Sequence, residues 1–158
     1  MSERRSITVV VPLFKSYVRM TRKGKNISPR ARAYHASQET LSTYIALALA
    51  RVWKGVRTIR SPYRVAVSVY LCVSKSSGNL TANGNDWDGY LKAALDSAAY
   101  HKITPGDSAA HFRGPLPVPM GIYAIASDAT PYGVITFAEV DESEHVATIP
   151  TDAVRFVR

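Results

Sequence analysis

The chain has 158 residues, a length that suits one compact domain and is short for two. Hydrophobic residues make up 46 % of it, which argues against a disordered chain, and no run reaches the roughly 18 apolar residues of a membrane span. One cysteine, Cys72, excludes an intramolecular disulfide and a cysteine-based zinc site. With no secretory signal before Pro12, these features predict a cytoplasmic protein without a membrane segment.

The net charge of +8 is unevenly distributed along the chain. Residues 1–64 carry a balance of +12, whereas residues 65–158 carry −4. A basic half joined to an acidic centre is typical of a phosphate-binding protein with a metal site. A solvated basic surface without a partner would have the same composition, so charge alone leaves nucleic-acid binding open.

The first elements are a strand and a basic loop. The run SITVVV at Ser6–Val11 predicts a buried strand that Pro12 ends. Residues 15–32 hold seven Lys or Arg and no acid, which predicts a loop that contacts phosphodiesters. The candidate DNA-binding residues in this loop are Lys15, Arg19, Arg22, Lys23, Lys25 and Arg30.

A long helix is predicted next, over about residues 29–54. Ser28 is a good N-cap, Pro29 suits the first helical position, and Gly55 is a typical helix stop. The second half of this helix, LSTYIALALARVW, is apolar over more than one face. This half of the helix is therefore either buried in the core or packed against a second subunit. We favour burial in the core.

The remaining pattern predicts strands and one more helix. Strands are expected over 64–73, 122–126 and 133–140, and a helix over about 88–100, with loops over 74–85 and 101–119. The final AVRFVR is a further short strand-like piece. The whole predicts a single α+β domain over residues 1–158: a mostly antiparallel sheet of about four strands with two main helices.

The segment NDWDGYLKAALD carries the most specific chemistry. Asp86 and Asp88 are two residues apart at the entry to a helix, where both carboxylates can be directed at one point. Carboxylate oxygens are the hard ligands that Mg²⁺ prefers, and two anions so close repel each other unless a cation neutralises them. The pair therefore predicts a divalent metal site.

Lys92 and Asp96 follow Asp88 at intervals of four and share its helix face. An ammonium beside carboxylates could hold a scissile phosphate or offset charge on a leaving oxygen. The same spacing is also the commonest surface ion pair, worth roughly 0.3–0.5 kcal/mol. Asp107, in a Pro-Gly loop, has the pattern of an ordinary turn residue when taken alone.

The segment DWDGYLKAALD resembles the D-x-D-N-x-x-K-x-x-x-D-A-L core of the RusA family of Holliday junction resolvases. The strand SITVVVP, the basic loop and the stretch SPRARAY from Ser28 to Tyr34 also match that family in order, over roughly residues 6–110. Family members place a further essential aspartate eleven residues after the last one of the motif, and here that position is Asp107. Two departures are Gly89 in place of the motif asparagine and SGNLTANGN where well-known members are rich in arginine.

The resemblance implies a function and a set of site residues. Asp86, Asp88 and Asp107 would hold Mg²⁺, with Mn²⁺ as a possible substitute, and Lys92 would assist phosphodiester cleavage. The family implies a homodimer that cuts four-way DNA junctions by paired symmetrical nicks, typically encoded by bacteriophages and acting in the bacterial cytoplasm. Two alternatives remain: a non-catalytic basic nucleic-acid-binding protein, and a metal nuclease that acts on other branched DNA.

Overall fold

Two helices lie against one face of a mixed, mostly antiparallel sheet of five strands. The computed structural model describes residues 4–18, 22–23, 26–78 and 86–142 and the single positions 152, 154 and 156; of 22–23 and 26–27 only the backbone is described. The elements in chain order are β1 (Ser6–Pro12), β2 (Arg22–Lys23), β3 (Asn26–Ile27), α1 (Pro29–Val52), β4 (Tyr63–Cys72), α2 (Trp87–Tyr100), β5 (Phe112–Pro115), β6 (Gly121–Ile125) and β7 (Tyr132–Glu139).

Strand β4 is the centre of the sheet. It pairs antiparallel with β7, which in turn pairs antiparallel with β1. On its other side β4 pairs in parallel with two short strands, β5 beside its first residues and β6 beside its last five. Antiparallel neighbours place Ile7, Phe137 and Val65 in one row and Val9, Ile135 and Val67 in the next. These rows form the sheet side of the core because the helices cover this face.

Helix α1 begins and ends close to the predicted positions. The Ser28 hydroxyl accepts a hydrogen bond from the Ala31 amide at 3.2 Å, which satisfies one of the free N–H groups of the first turn. Leu41, Ile45 and Leu49 are buried against the sheet, as the favoured interpretation of this helix requires. Its outer stripe stays exposed at Leu47, so only one of the two apolar faces enters the core.

Among the described residues, no helix is long and apolar enough to cross a bilayer.

The strands differ from the prediction in two places, one in the main sheet and one in a separate two-stranded ladder. Residues 101–119 were expected to be loop, but Phe112–Pro115 forms β5. A two-residue ladder of β2 with β3 lies within the expected basic loop. Both departures are very short strands that form only because a neighbouring strand pairs with them. The hydrophobic periodicity of the sequence does not identify that neighbour. Most of the strand-like tail lies outside the described residues.

Glu139 closes one end of the sheet with a buried charge. Its carboxylate is 5 % exposed and accepts hydrogen bonds from the side chains of Arg5 and Arg60 and from the backbone amide of Arg60. Burial alone would raise the pKa of Glu139, but these donors outweigh it and lower the pKa from 4.5 to about 2. The Arg5 guanidinium also lies 4.2 Å from the ring centre of Trp53, so this cluster joins β1, the end of α1 and β7.

We expect this cluster to make stability depend on acid pH. A carboxyl with a pKa of about 2 when folded and 4.5 when unfolded contributes stability above pH 4.5 that is lost as the pH falls towards 2. The loss should approach about 3 kcal/mol, by the usual conversion of 1.36 kcal/mol per pH unit. Urea unfolding between pH 7 and pH 2.5 measures it.

The Glu139→Gln variant should be less stable than the wild type at pH 7 and should approach it near pH 2.5. Glu142→Gln, at an exposed neighbouring position, is the matched control and should follow the wild-type pH curve. Parallel pH curves for the wild type and Glu139→Gln would contradict the assignment.

Candidate functional site

The first turn of α2 carries two exposed carboxylates. Asp86 is the N-cap residue, in extended conformation, and its side chain makes no capping hydrogen bond. Asp88 lies in the first turn, where its Oδ1 accepts a hydrogen bond from the Gly89 amide at 2.9 Å. Carboxylates at these positions also stabilise a helix through its dipole, so position alone assigns them no further role. Neither is paired with a cation in the part of the chain that the structure describes.

The start of α2 is fixed to the sheet by Trp87. The indole Nε1 donates a hydrogen bond of 2.7 Å to the carbonyl oxygen of Val67, in the middle of β4. The side chain is partly buried, with its polar atom satisfied, as an anchoring residue requires. The two carboxylates therefore flank a residue whose position depends on the central strand.

The loop after α2 brings Asp107 back to that helix. Ile103 is buried in the core, and the hydroxyl of the fully buried Tyr63 donates to the Gly106 carbonyl at 2.7 Å. Gly106 has a φ of +128°, a conformation that a residue with a side chain rarely adopts. A second attachment follows where the Tyr63 amide donates to the His111 carbonyl at 2.9 Å. Asp107 is thus carried by a loop that is fastened on both sides.

The Lys92 ammonium is shared between two carboxylates. Its Nζ lies 2.7 Å from Asp96 Oδ1 on the same helix and 2.6 Å from Asp107 Oδ2 on the loop. Partial burial would lower the pKa of Lys92, but the hydrogen bonds to Asp107 and Asp96 raise it to about 12. The side chain is therefore an ammonium at neutral pH, so it can offset negative charge but cannot accept a proton.

Stability gives little reason for this arrangement. The side chains of Lys92 and Asp107 are both about two-fifths exposed, and pairs of this kind typically contribute no more than about 1 kcal/mol. The arrangement instead holds the Lys92 ammonium in place between the carboxylates of Asp96 and Asp107. Asp88 lies one helical turn before Lys92, an axial separation of about 6 Å. The contact therefore brings Asp107 to the part of α2 that carries Lys92 and Asp96.

Two residues on α1 form hydrogen bonds that extend from Asp96, on the side away from Lys92. The Tyr34 hydroxyl donates to Asp96 Oδ2 at 3.0 Å, and Gln38 Nε2 donates to the Tyr34 oxygen at 3.0 Å. Both residues lie in the helix predicted over about residues 29–54, and the sequence assigned neither of them a role at the site. The one available signal was the position of Tyr34 at the end of the SPRARAY match.

The donor chemistry of the three predicted ligands suits a hard divalent cation, because each offers carboxylate oxygens. Among the described residues, no three His, Cys, Asp or Glu side chains are grouped closely enough to hold a metal ion. In this arrangement the Lys92 ammonium lies against Asp107 Oδ2. Ligation through Asp107 Oδ2 would displace Lys92 from that contact, and Asp96 could still hold the ammonium.

Two of the six predicted DNA-binding side chains are described, and both are exposed. Lys15 and Arg30 line a groove of about 220 Å³ that also reaches Tyr90 on α2. Arg22 and Lys23 lie in β2, where only the backbone is described, and Arg19 and Lys25 lie outside the described residues. The described part of the basic loop therefore adjoins the helix that carries the carboxylates.

Gly89 is the contact point between that loop and α2. Its carbonyl accepts a hydrogen bond of 2.9 Å from the Tyr17 amide. A Cβ at this position would lie 3.3 Å from Ser16 Cβ, closer than such contacts usually are, so Ser16 would have to shift. The glycine that departs from the family pattern thus allows segment 13–18 to lie close to the first turn of α2.

Comparison of the sequence with models of known protein families gives no match, and comparison with curated proteins gives none either. The resemblance therefore depends on its motif residues, and the geometry of those residues carries the functional argument.

Proposed function

We propose that this protein is a Mg²⁺-dependent endonuclease that resolves four-way DNA junctions by paired symmetrical nicks. The observation that carries the proposal is the contact of Asp107 with Lys92, across fifteen residues of chain. Asp107 looked like a turn residue by itself, and only its spacing in a resembling family connected it to the helix motif. Asp107 contacts Lys92, and Lys92 lies one helical turn after Asp88. This supports the proposal that these three residues and Asp86 form one site.

The roles of these side chains follow from their charge. Asp86, Asp88 and Asp107 would hold the metal through carboxylate oxygens. When bound, Mg²⁺ polarises a phosphate and lowers the pKa of an attacking water. Lys92, an ammonium at neutral pH, would contact the phosphate and offset the charge that develops on it during cleavage.

Binding of the DNA backbone is assigned to the basic segment. Lys15 and Arg30 lie beside the carboxylate-bearing helix, and phosphate contacts from such residues give affinity that is largely independent of sequence. Cations here also offset the repulsion between DNA and the aspartates.

Paired nicks need two active sites, so the proposal includes a homodimer. The face of the sheet away from the helices offers a suitable surface. It carries Val10, 67 % exposed, and Tyr70 stacked on Tyr132 with ring centres 4.5 Å apart. Of the residues that β1, β4 and β7 place on this face, only Arg64 is charged. A second copy of the same face can therefore approach with little charge repulsion.

The first test is cleavage of a synthetic four-way junction labelled on each strand. The wild type should give symmetrical nicks that require Mg²⁺, and light scattering should give the mass of two chains. Asp88→Asn and Asp107→Asn should reduce the rate about 100-fold or more, because each loses a charged ligand. Asp128→Asn, an exposed acid in the turn between β6 and β7, is the matched control and should leave the rate unchanged.

Two results would favour other functions. Junction binding without Mg²⁺ dependence and without cleavage would indicate a non-catalytic nucleic-acid-binding protein. Equal cleavage of flaps and simple duplexes would indicate a nuclease of broader substrate range.

A second test concerns competition at Asp107. Because the Lys92 ammonium already lies on Asp107 Oδ2, it should oppose a divalent cation there in the free protein. Lys92→Met should therefore bind Mn²⁺ more tightly, by up to about fivefold if the pair contributes about 1 kcal/mol. Calorimetric titration of the DNA-free protein measures this, and Lys102→Met, at an exposed position, is the control. Weaker binding by Lys92→Met would contradict the competition.

A third test concerns the basic segment. The Lys15→Gln and Arg30→Gln variants should weaken junction binding and should each reduce the dependence of log K on log salt by about 0.9. Arg51→Gln, an exposed arginine near the opposite end of α1, is the matched control. Binding measured from 50 to 300 mM salt distinguishes the two groups, and equal slopes for all three variants would remove Lys15 and Arg30 from the interface.

A further inference from the structure

The cluster behind Lys92 is a continuous chain of hydrogen bonds. Gln38 donates to the Tyr34 oxygen, the Tyr34 hydroxyl donates to one oxygen of Asp96, and the other oxygen of Asp96 holds the Lys92 ammonium. The three distances are 3.0, 3.0 and 2.7 Å. The chain thus starts on α1, crosses to α2 and ends at the half-exposed cation.

We propose that Tyr34, Gln38 and Asp96 are positioning residues that hold the Lys92 ammonium at the site for phosphodiester cleavage. The inference rests on the proposed function for its catalytic consequence. The positioning itself is a property of the free protein. None of the three residues needs to touch the substrate or a metal in order to act.

The direction of the chain is fixed by its chemistry. Burial, together with the negative charge of Asp96, raises the pKa of Tyr34 far above its ordinary value, so the phenol keeps its proton and donates a hydrogen bond to Asp96. The Tyr34 oxygen is then left to accept from the Gln38 amide. Tyr34 is 1 % exposed and Gln38 is 7 % exposed, so water has little access to replace either bond.

A fixed carboxylate matters because lysine is a flexible side chain. Its four-carbon stem gives the ammonium many positions, and an exposed pair with a mobile aspartate would restrict it little. Here one partner, Asp96, is itself held from a second helix. Where a metal takes the Asp107 oxygen that now contacts Lys92, the bond to Asp96 remains and keeps the ammonium near the reacting phosphate.

The competing explanation is that Tyr34 and Asp96 only join α1 to α2. Such a bond would affect stability but would leave the chemical step of the folded protein unchanged. The two explanations are distinguished by measuring the rate of cleavage on folded protein and by asking whether the effect of Tyr34 passes through Lys92.

The test compares Tyr34→Phe, Lys92→Ala and the double variant in single-turnover cleavage of a bound junction. Tyr34→Phe should lower the rate about tenfold while junction affinity changes less than twofold. In the Lys92→Ala background the same substitution should have no further effect, since its target is gone. Tyr44→Phe, an exposed tyrosine on the same helix at 42 % exposure, is the control and should behave as the wild type.

A readout without DNA separates this inference from the proposed function. In the free protein, the ¹⁵Nζ signal of Lys92 should be observable in the wild type, because its protons are held, and should broaden through faster exchange in Tyr34→Phe. A wild-type protein that fails to cleave would overturn the proposed function. The change in the Lys92 signal between wild type and Tyr34→Phe would still test whether Tyr34 positions the ammonium.

Three results would overturn the positioning. They are an unchanged Lys92 signal in Tyr34→Phe, a wild-type cleavage rate in that variant, and a full tenfold loss on adding Tyr34→Phe to Lys92→Ala. If Tyr34→Phe does not fold, Gln38→Leu replaces it, with the same expected direction and a smaller loss of about threefold.

Discussion

Burial of β4 is the constraint on which both the fold and the candidate site depend. Its side chains from Tyr63 to Leu71 alternate into the core, and β7, β5 and β6 all pair with it. The same strand also positions the site at two points. The carbonyl of Val67 holds Trp87 at the start of α2, and the hydroxyl of Tyr63 holds Gly106 in the loop of Asp107. The carboxylates of the helix and of the loop are therefore both located relative to one rigid strand.

Local signals in the sequence predicted the long elements well. The Ser28-Pro29 pair placed the start of α1, and apolar periodicity placed α2 and β7 to within one or two residues. The strand β5 was missed because its four residues include Gly114 and Pro115 and pair in parallel with a strand about fifty residues away. The pairing of β4 with β6 is likewise parallel and non-local, so no short pattern in either strand specifies it.

The candidate site divides in the same way. The D-x-D-x3-K spacing located Asp88 and Lys92 on one helix face, since that follows from 3.6 residues per turn. No local rule could bring Asp107 to Lys92, because that contact depends on how Ile103 and Tyr63 fasten the intervening loop. Nor could the sequence identify Tyr34 and Gln38 as partners of Asp96, because the bond spans 62 residues and two helices.

The charge arrangement is the reason for proposing an enzyme and not a passive binding surface. A protein that only binds phosphates gains from free cations, whereas here Lys92 is engaged by two carboxylates, which weaken its attraction for a phosphate in the free protein. Carboxylates next to the DNA path are costly unless a divalent cation joins them. Gly89 strengthens this argument, because the close approach of Ser16 brings the basic segment to the acidic helix turn. Basic residues and carboxylates on adjacent surfaces are the groups that the proposed cleavage of a phosphodiester would use.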